Sequence, residues 1–449
     1  MTLSGEIGDG RWANFHYSIG MHRIQRKGGK LCVEGVSVEA LADRHGTPLY
    51  VYSAGTILDH YRRLRSVLRA LNPLVCYSVK ANSNLAILSL LARAGSGFDV
   101  VSGGELERVR KAGGKASKCV FAGVGKTEEE IEAGLRAGVK AFHVESEEEL
   151  QAIAAVAARK KGRWAPVALR VNPDVAAGGH AKITTGTYAN KFGIPFEEVA
   201  AIYRRAAGNR YLRLRGIQMH IGSQITQAAP FRAAVRKMVP LVARLRDRYG
   251  IDYFDIGGGV GIVYQDALAS GQQGWWKTSK ASRFMTLNEY AVSLVSLLRE
   301  LRMQILLEPG RFLVGNAGML VTEVLYRKQT GKKHFTVVDA GMNDLIRPTL
   351  YEAFHQIEPV GKPRPGAMAT DVVGPVCESG DVFGHDRTLP PVERGDRLAI
   401  LSAGAYGFAM ASNYNTRPRP AEILVTGNRA KVVRVREELA DLWRGERKS

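Results

Sequence analysis

Residues 74–80 read LVCYSVK, an apolar run that stops on a lysine, and runs of the same kind recur down the chain as far as residue 310. They are FDVV (98–101), CVFAG (119–123), AFHVE (141–145), PVALRVN (166–172), GIQMHIG (216–222), YFDIGGG (253–259) and QILLEPG (304–310). Amphipathic helical stretches lie between them. Short β-rich runs alternating with helices are the pattern of parallel strands joined by crossovers, and eight such units close a TIM-type (β/α)8 barrel. The helical stretches carry their own signals: TEEEIEAGLRAG offers Thr127 as N-cap, acidic residues in its first turn and Gly138 past its end.

The polar residues cluster at the strand ends. Strand after strand stays apolar until Lys80, Asp99, Glu145, Asn172, His220, Gly257 to Gly259 and Glu308. In a parallel barrel these ends share one face, the face on which such folds build active sites. The connection over 172–194, containing GGHAKITTGTYANKFG, is long and polar and is expected to cover a substrate there.

Outside the barrel the pattern changes. Residues 312–330, 334–340, 371–377, 396–401, 421–426 and 430–436 read as β runs separated by Gly, Pro and Asn turns, and FHYSIG with KLCVEGV reads as a hairpin around Gly28-Gly29. The expected architecture is therefore α/β. A barrel over 48–312 is followed by a mostly antiparallel β-barrel or sandwich domain assembled from 1–47 and 313–449.

Composition narrows the function. A chain of 449 residues with 45% hydrophobic and 24% charged residues is an ordinary globular composition. It has neither a membrane-length apolar run nor a signal core in MTLSGEIGDGRW, so no membrane association and a cytoplasmic location are expected. Cys32, Cys76, Cys119 and Cys377 have no paired or metal-type spacing, and no HxH or HExxH occurs, so neither a disulfide framework nor a metal site is expected. The net charge of +20 raises the question of nucleic acid, but the basic residues are dispersed and no nucleic-acid motif accompanies them. Nucleic-acid binding is not expected.

Single residues leave alternatives open. Lys80 fits a snorkelling surface lysine or a Schiff-base lysine whose lowered pKa makes it nucleophilic; it shares a strand face with the small residues Cys76 and Ser78. Gly257 to Gly259 fit a flexible turn or a backbone cradle for phosphate. Glu308 and Arg311 fit a junction ion pair or, respectively, an acid for a pyridine nitrogen and a clamp for a carboxylate. His220 fits a structural hydrogen bond or a stacking partner for an aromatic cofactor, with Ser223 within reach of a phosphate. Cys377 fits a buried thiol or an exposed proton donor.

Taken in order, YSVKAN, GFDVVSGGEL, HIGSQI, DIGGGVG, EPGRFLVGNAG, DAGMNDLIRPTLYEAFH, GPVCESGD and GAYGFAMASNYN resemble the fold type III pyridoxal-phosphate decarboxylases with an alanine-racemase-like barrel, and within them the diaminopimelate decarboxylases. The resemblance spans nearly the whole chain. It implies pyridoxal 5'-phosphate bound covalently by Lys80, with Asp99, His220, Ser223, Gly257, Gly258, Gly259, Glu308, Pro309, Gly310, Arg311 and Tyr406 around it. It implies substrate binding by Arg311, Arg347, Tyr351, Glu378 and Tyr406, and catalysis by Lys80, His220, Glu308 and Cys377, with Cys377 as proton donor.

Cys377 and Glu378 are implied to reach the site from the other subunit of a homodimer. The implied reaction converts meso-2,6-diaminopimelate, decarboxylated at its D centre, to L-lysine and carbon dioxide, the last step of lysine biosynthesis. Glu378 after the cysteine, where ornithine decarboxylases carry aspartate, and the RPTLY segment favour a substrate with a second carboxylate. A sister enzyme acting on carboxynorspermidine or a glutamyl conjugate, and a catalytically silent relative, remain as alternatives.

Overall fold

The protein is described by a computed structural model for residues 22–160, 164–176 and 191–448. Strands are numbered in chain order. β1 (Ile24–Lys27), β2 (Lys30–Val33) and β3 (Val36–Ser37) form a small antiparallel sheet, and β4 is Leu49–Ser53. The barrel follows as β5 (Leu74–Ser78), β6 (Gly97–Val100), β7 (Cys119–Phe121), β8 (Ala141–Val144) and β9 (Ala165–Asn172). β10 (Ile194–Pro195) pairs only with β9, and β11 (Leu212–Met219), β12 (Tyr253–Asp255) and β13 (Gln304–Leu307) complete the ring. Parallel pairing of β8 with β9 and of β13 with β5 closes it.

Alternation along these strands builds the barrel interior in layers. Cys76, Val120, Ala141, Ala168, Tyr253 and Leu306 form one apolar cluster. Two residues further along the same strands come Ser78, Ala122, His143, Arg170, Asp255 and Glu308, all buried. The lower layer excludes water and the upper one carries polar groups, so the site rests on a dry plug.

The helix Glu128–Ala137 carries the expected capping box between Thr127 and Glu130, and Gly138 ends it in the left-handed region at φ 70°. No described helix is long and apolar enough to cross a membrane.

The second domain is built on β14 (Gly318–Thr330), which pairs antiparallel with β4, β15 (Lys333–Val338) and β19 (Arg397–Ile400). β16 (Ile357–Pro359), β17 (Met368–Val373), β18 (Val382–Leu389), β20 (Ala421–Thr426) and β21 (Arg429–Arg434) extend it. Residues 312–317, expected as strand, are helical, because Pro309-Gly310 turns the chain directly after the barrel. β16 and β18 carry no sequence expectation. The hairpin around Gly28-Gly29 is made by β1 and β2; FHYSIG lies outside the described residues, as does most of the expected cover over 172–194.

Short polar ties bind the two domains behind the lysine turn. The Tyr406 N–H donates to the Ala81 carbonyl at 2.8 Å, and Asn82 Nδ2 to the Gly404 carbonyl at 3.2 Å. Glu422, fully buried on β20, accepts from Tyr52 at 2.7 Å and from Asn84 at 2.9 Å.

Candidate active site

The chain leaves β5 through a single helical turn, Val79–Ala81, and this turn carries Lys80 into the barrel mouth. Its Nζ meets Asp99 Oδ2 at 2.9 Å, and Ser78 Oγ lies 2.8 Å from the same oxygen. Ser78 and Asp99 are adjacent because β5 and β6 pair in that register. Ser78 is thus a partner of Asp99, while Cys76 packs in the apolar layer below. The expected lowering of the Lys80 pKa is not found. Desolvation opposes the charge, but Asp99, the Tyr406 phenol and Glu308 overcome it and hold the ammonium above its usual range.

Below the mouth lies a carboxylate pair. Glu308 accepts from Gln218 Nε2 at 3.0 Å and has His143 Nδ1 3.2 Å from its other oxygen. His143 Nε2 is in turn 3.1 Å from the Tyr253 hydroxyl. The ligand atoms of His143, Asp255 and Glu308 lie within 4.8 Å of one another, as at a cation site. A proton meets the same need. Burial first, and then the Glu308 charge, push the Asp255 carboxyl well above its usual range, so the pair carries one negative charge rather than two.

The glycine run is a tight fixture. Gly257 and Gly259 have φ of 72° and 101°, and a Cβ on Gly258 would sit 2.2 Å from the Glu308 carbonyl oxygen. Side chains are therefore excluded where backbone must approach a ligand. The Gly258 N–H donates to His220 Nδ1 at 3.2 Å. Burial, then the charges of Arg170 and Lys80, lower the His220 pKa to about 3, so the ring is neutral.

The turn after β13 and the β domain supply a cationic wall, joined by Tyr264 from the loop after β12. Arg311, in the turn after Glu308, and Arg347, opening the helix Arg347–Tyr351, are both buried. Arg311 donates to the Tyr264 hydroxyl at 2.6 Å and to Ser223 Oγ at 3.0 Å. Arg347 donates to the same Tyr264 hydroxyl at 2.8 Å and to His355 Nε2 at 2.9 Å. The Arg311 guanidinium also stacks 4.9 Å from the Tyr406 ring centre.

Lys80, His220, Ser223, Gly259, Glu308, Pro309, Gly310, Arg311, Arg347, Tyr351 and Tyr406 line one cavity of about 690 Å³. Asp99, Gly257 and Gly258 stand directly behind that lining. Cys377 and Glu378 do not line it; both are exposed. Their loop is braced by Asp381, which accepts from the backbone of Met342 at 2.6 Å and Val376 at 2.7 Å.

Sequence reading missed His143, Arg170, Gln218, Asp255, Tyr264 and His355. Four of these six lie on barrel strands, two residues past a residue of the barrel interior, and the period-2 rule would have found them.

The donor set suits pyridoxal phosphate, which needs an amine, an acid for its ring nitrogen, a flat partner for its face and open backbone for its phosphate. Lys80, Glu308, His220 and the glycine run offer these. A family described as the pyridoxal-dependent decarboxylase, pyridoxal binding domain, matches residues 54–315. The chain is 48% identical to the diaminopimelate decarboxylase of Vibrio cholerae over 92% of its own length and 96% of the relative's. It is 46% identical to that of Pseudomonas fluorescens, over 95% and 99%.

The chain belongs to the diaminopimelate decarboxylase family.

Its structure resembles the Helicobacter pylori diaminopimelate decarboxylase solved with L-lysine, at TM-score 0.83 and 39% identity over 90% of this chain and 98% of that one. The M. jannaschii enzyme, also solved with L-lysine, matches at TM-score 0.86 and 37% identity over 94% and 97%. The expectations of family, barrel fold, decarboxylase activity and pyridoxal phosphate all hold.

Proposed function

We infer that this enzyme decarboxylates meso-2,6-diaminopimelate to L-lysine and carbon dioxide with pyridoxal 5'-phosphate. The observation that carries this reading is the shared cavity: Lys80 and Glu308 line it together with the Arg311–Arg347 pair.

Bound pyridoxal phosphate supplies the electron sink into which the bond to the departing carboxylate empties. The chain's own groups prepare that event. Lys80 anchors the cofactor, and Asp99 orients the lysine amine through the contact they share. Glu308, held by Gln218 and His143, keeps a pyridine nitrogen protonated, because its carboxylate can balance the resulting charge. His220 stays neutral and so offers a face for stacking without repelling a cation. Val101, Ala122 and Val124 give the mouth apolar walls, which strengthen every charge interaction inside it. Arg311 and Arg347 hold the substrate's second carboxylate, with Tyr351 and Tyr406 beside it. They thereby fix which end of the substrate reaches Lys80.

Cys377 and Glu378 act from a second copy of the chain. That both are exposed and neither lines the cavity supports a homodimer with shared sites, in which Cys377 protonates the product carbon and Glu378 meets the distal amine. A cytoplasmic location fits a biosynthetic enzyme of this kind.

The decisive experiment supplies purified protein and pyridoxal phosphate with meso-diaminopimelate, following lysine and carbon dioxide, with ornithine and L-lysine as controls. Release of lysine and carbon dioxide from meso-diaminopimelate alone is expected; no lysine overturns the reading. Mixing inactive Lys80→Ala with inactive Cys377→Ala subunits should restore part of the activity. No recovery despite demonstrated subunit exchange would sink the shared-site arrangement.

A further inference from the structure

Arg311 and Arg347 are 8% and 6% exposed, and among the described residues their hydrogen-bond partners are hydroxyls and a ring nitrogen rather than carboxylates. Two buried like charges side by side are costly unless an anion or an oriented dipole offsets them. What they have in common is one oxygen: the Nη1 groups of both converge on the Tyr264 phenol, at 2.6 and 2.8 Å. Their other contacts are neutral. Ser223 gives Arg311 a hydroxyl, and His355 gives Arg347 a ring nitrogen whose opposite Nδ1 is fixed 2.8 Å from the Leu401 carbonyl.

The Tyr264 ring is itself fixed. His355 meets it nearly perpendicular, with centroids 5.1 Å apart, and the Arg347 guanidinium lies 5.0 Å from its centre. An oxygen that accepts from two guanidiniums is a bridge with both lone pairs committed. Burial alone would raise the pKa of the phenol, but the two arginines outweigh it and lower it. Because Nη1 of Arg347 is taken by Tyr264 and His355, the other terminal nitrogen of that guanidinium is left for a ligand. Tyr264 also lies five positions beyond Gly259 in GGGVGIVY, so a single loop carries both the glycine run and the bridge.

We propose that Tyr264 is the positioning residue of the cationic wall: its phenol oxygen ties Arg311 to Arg347 and presets the pair for the second carboxylate of a diamino dicarboxylate. The proposal rests on the decarboxylase reading above. Without the bridge the guanidiniums repel and spread over several rotamers, and the substrate must order them on binding. Affinity for the second carboxylate is then lost while the reacting end is untouched.

The test uses the holoenzyme. Tyr264→Phe keeps the ring and removes only the bridging oxygen. The KM for meso-diaminopimelate should rise about tenfold, with the loss falling on KM rather than kcat. The inhibition constant of D-lysine, which has the reacting D centre and no second carboxylate, should not move. Equal weakening of both ligands, a fall in kcat at constant KM, or an unmoved KM overturns the proposal. Tyr264→Gln is the second variant, since its amide oxygen can accept from both guanidiniums; it should recover part of the KM, and a KM no better than that of Tyr264→Phe counts against the bridge. Wild-type turnover is the separate control: no lysine from the wild type removes the decarboxylase reading, whereas wild-type turnover with an unmoved KM in Tyr264→Phe removes only the bridge.

Discussion

The floor and the wall of the cavity solve opposite electrostatic problems. On the floor, Asp255 and Glu308 bring two carboxyls together inside a closed barrel, and one proton removes the repulsion. On the wall, Arg311 and Arg347 bring two cations together, and guanidiniums cannot shed a proton near neutral pH. The wall therefore relies on an acceptor bridge. The floor is made from barrel strands in fixed register and serves the chemistry of the cofactor. The wall is made from the turn after β13, the loop after β12 and the second domain, and serves recognition. Floor variants should accordingly register in kcat, and wall variants in KM.

The sharpest break of that contrast is Glu308→Gln. An amide cannot balance a protonated ring nitrogen, so kcat should fall by about 10²–10³-fold while KM changes little, as read by steady-state lysine release. A KM effect of the same size would merge floor with wall.

Asp255 sharpens the floor. If it carries the shared proton, Asp255→Asn replaces a neutral donor with a neutral donor and should keep kcat within about tenfold. Asp255→Ala leaves its buried partners unpaired and should lose about 1–3 kcal/mol of stability in denaturant unfolding. Equal damage in both would mean that Asp255 must ionise.

The smallest effect concerns the wall's neutral support. Burial first, then Arg347, lower the His355 pKa to about 3. Below the unfolded value near 6.5 the unfolded chain takes up a proton that the folded chain refuses, so stability is present above that value and is lost as pH falls toward 3. Asp344 and Glu105, both raised to about 7 chiefly by burial, act with the opposite sign, since the folded chain binds their protons first. Comparison with His355→Asn cancels them. Between pH 6 and 4, the wild type should lose about 1.4 kcal/mol per pH unit more than the variant in chemical denaturation.

The barrel was legible because alternation of β runs and helices survives in a single sequence, and because each strand announces its end with a polar residue. Lys80, His220, Glu308 and the glycine run were visible for that reason. His143, Gln218 and Asp255 were not, since inside an apolar run a polar residue looks like an exception until strand phase assigns it inward. Tyr264 and His355 were invisible in a stronger sense: their roles depend on contacts with residues 47 and 46 positions away, which no local pattern encodes. The raised pKa of Lys80 is likewise a product of register, since Asp99 becomes its partner only when β5 and β6 align.

The ties behind Lys80 bear on how the enzyme can move. Tyr406, Gly404 and Glu422 hold the turn that carries the lysine, and the same domain carries Arg347. Cofactor anchor and substrate clamp are therefore parts of one stiff frame, and swinging the two domains apart would break buried polar bonds in every cycle. Reactants and products must come and go through an aperture whose jaws do not part.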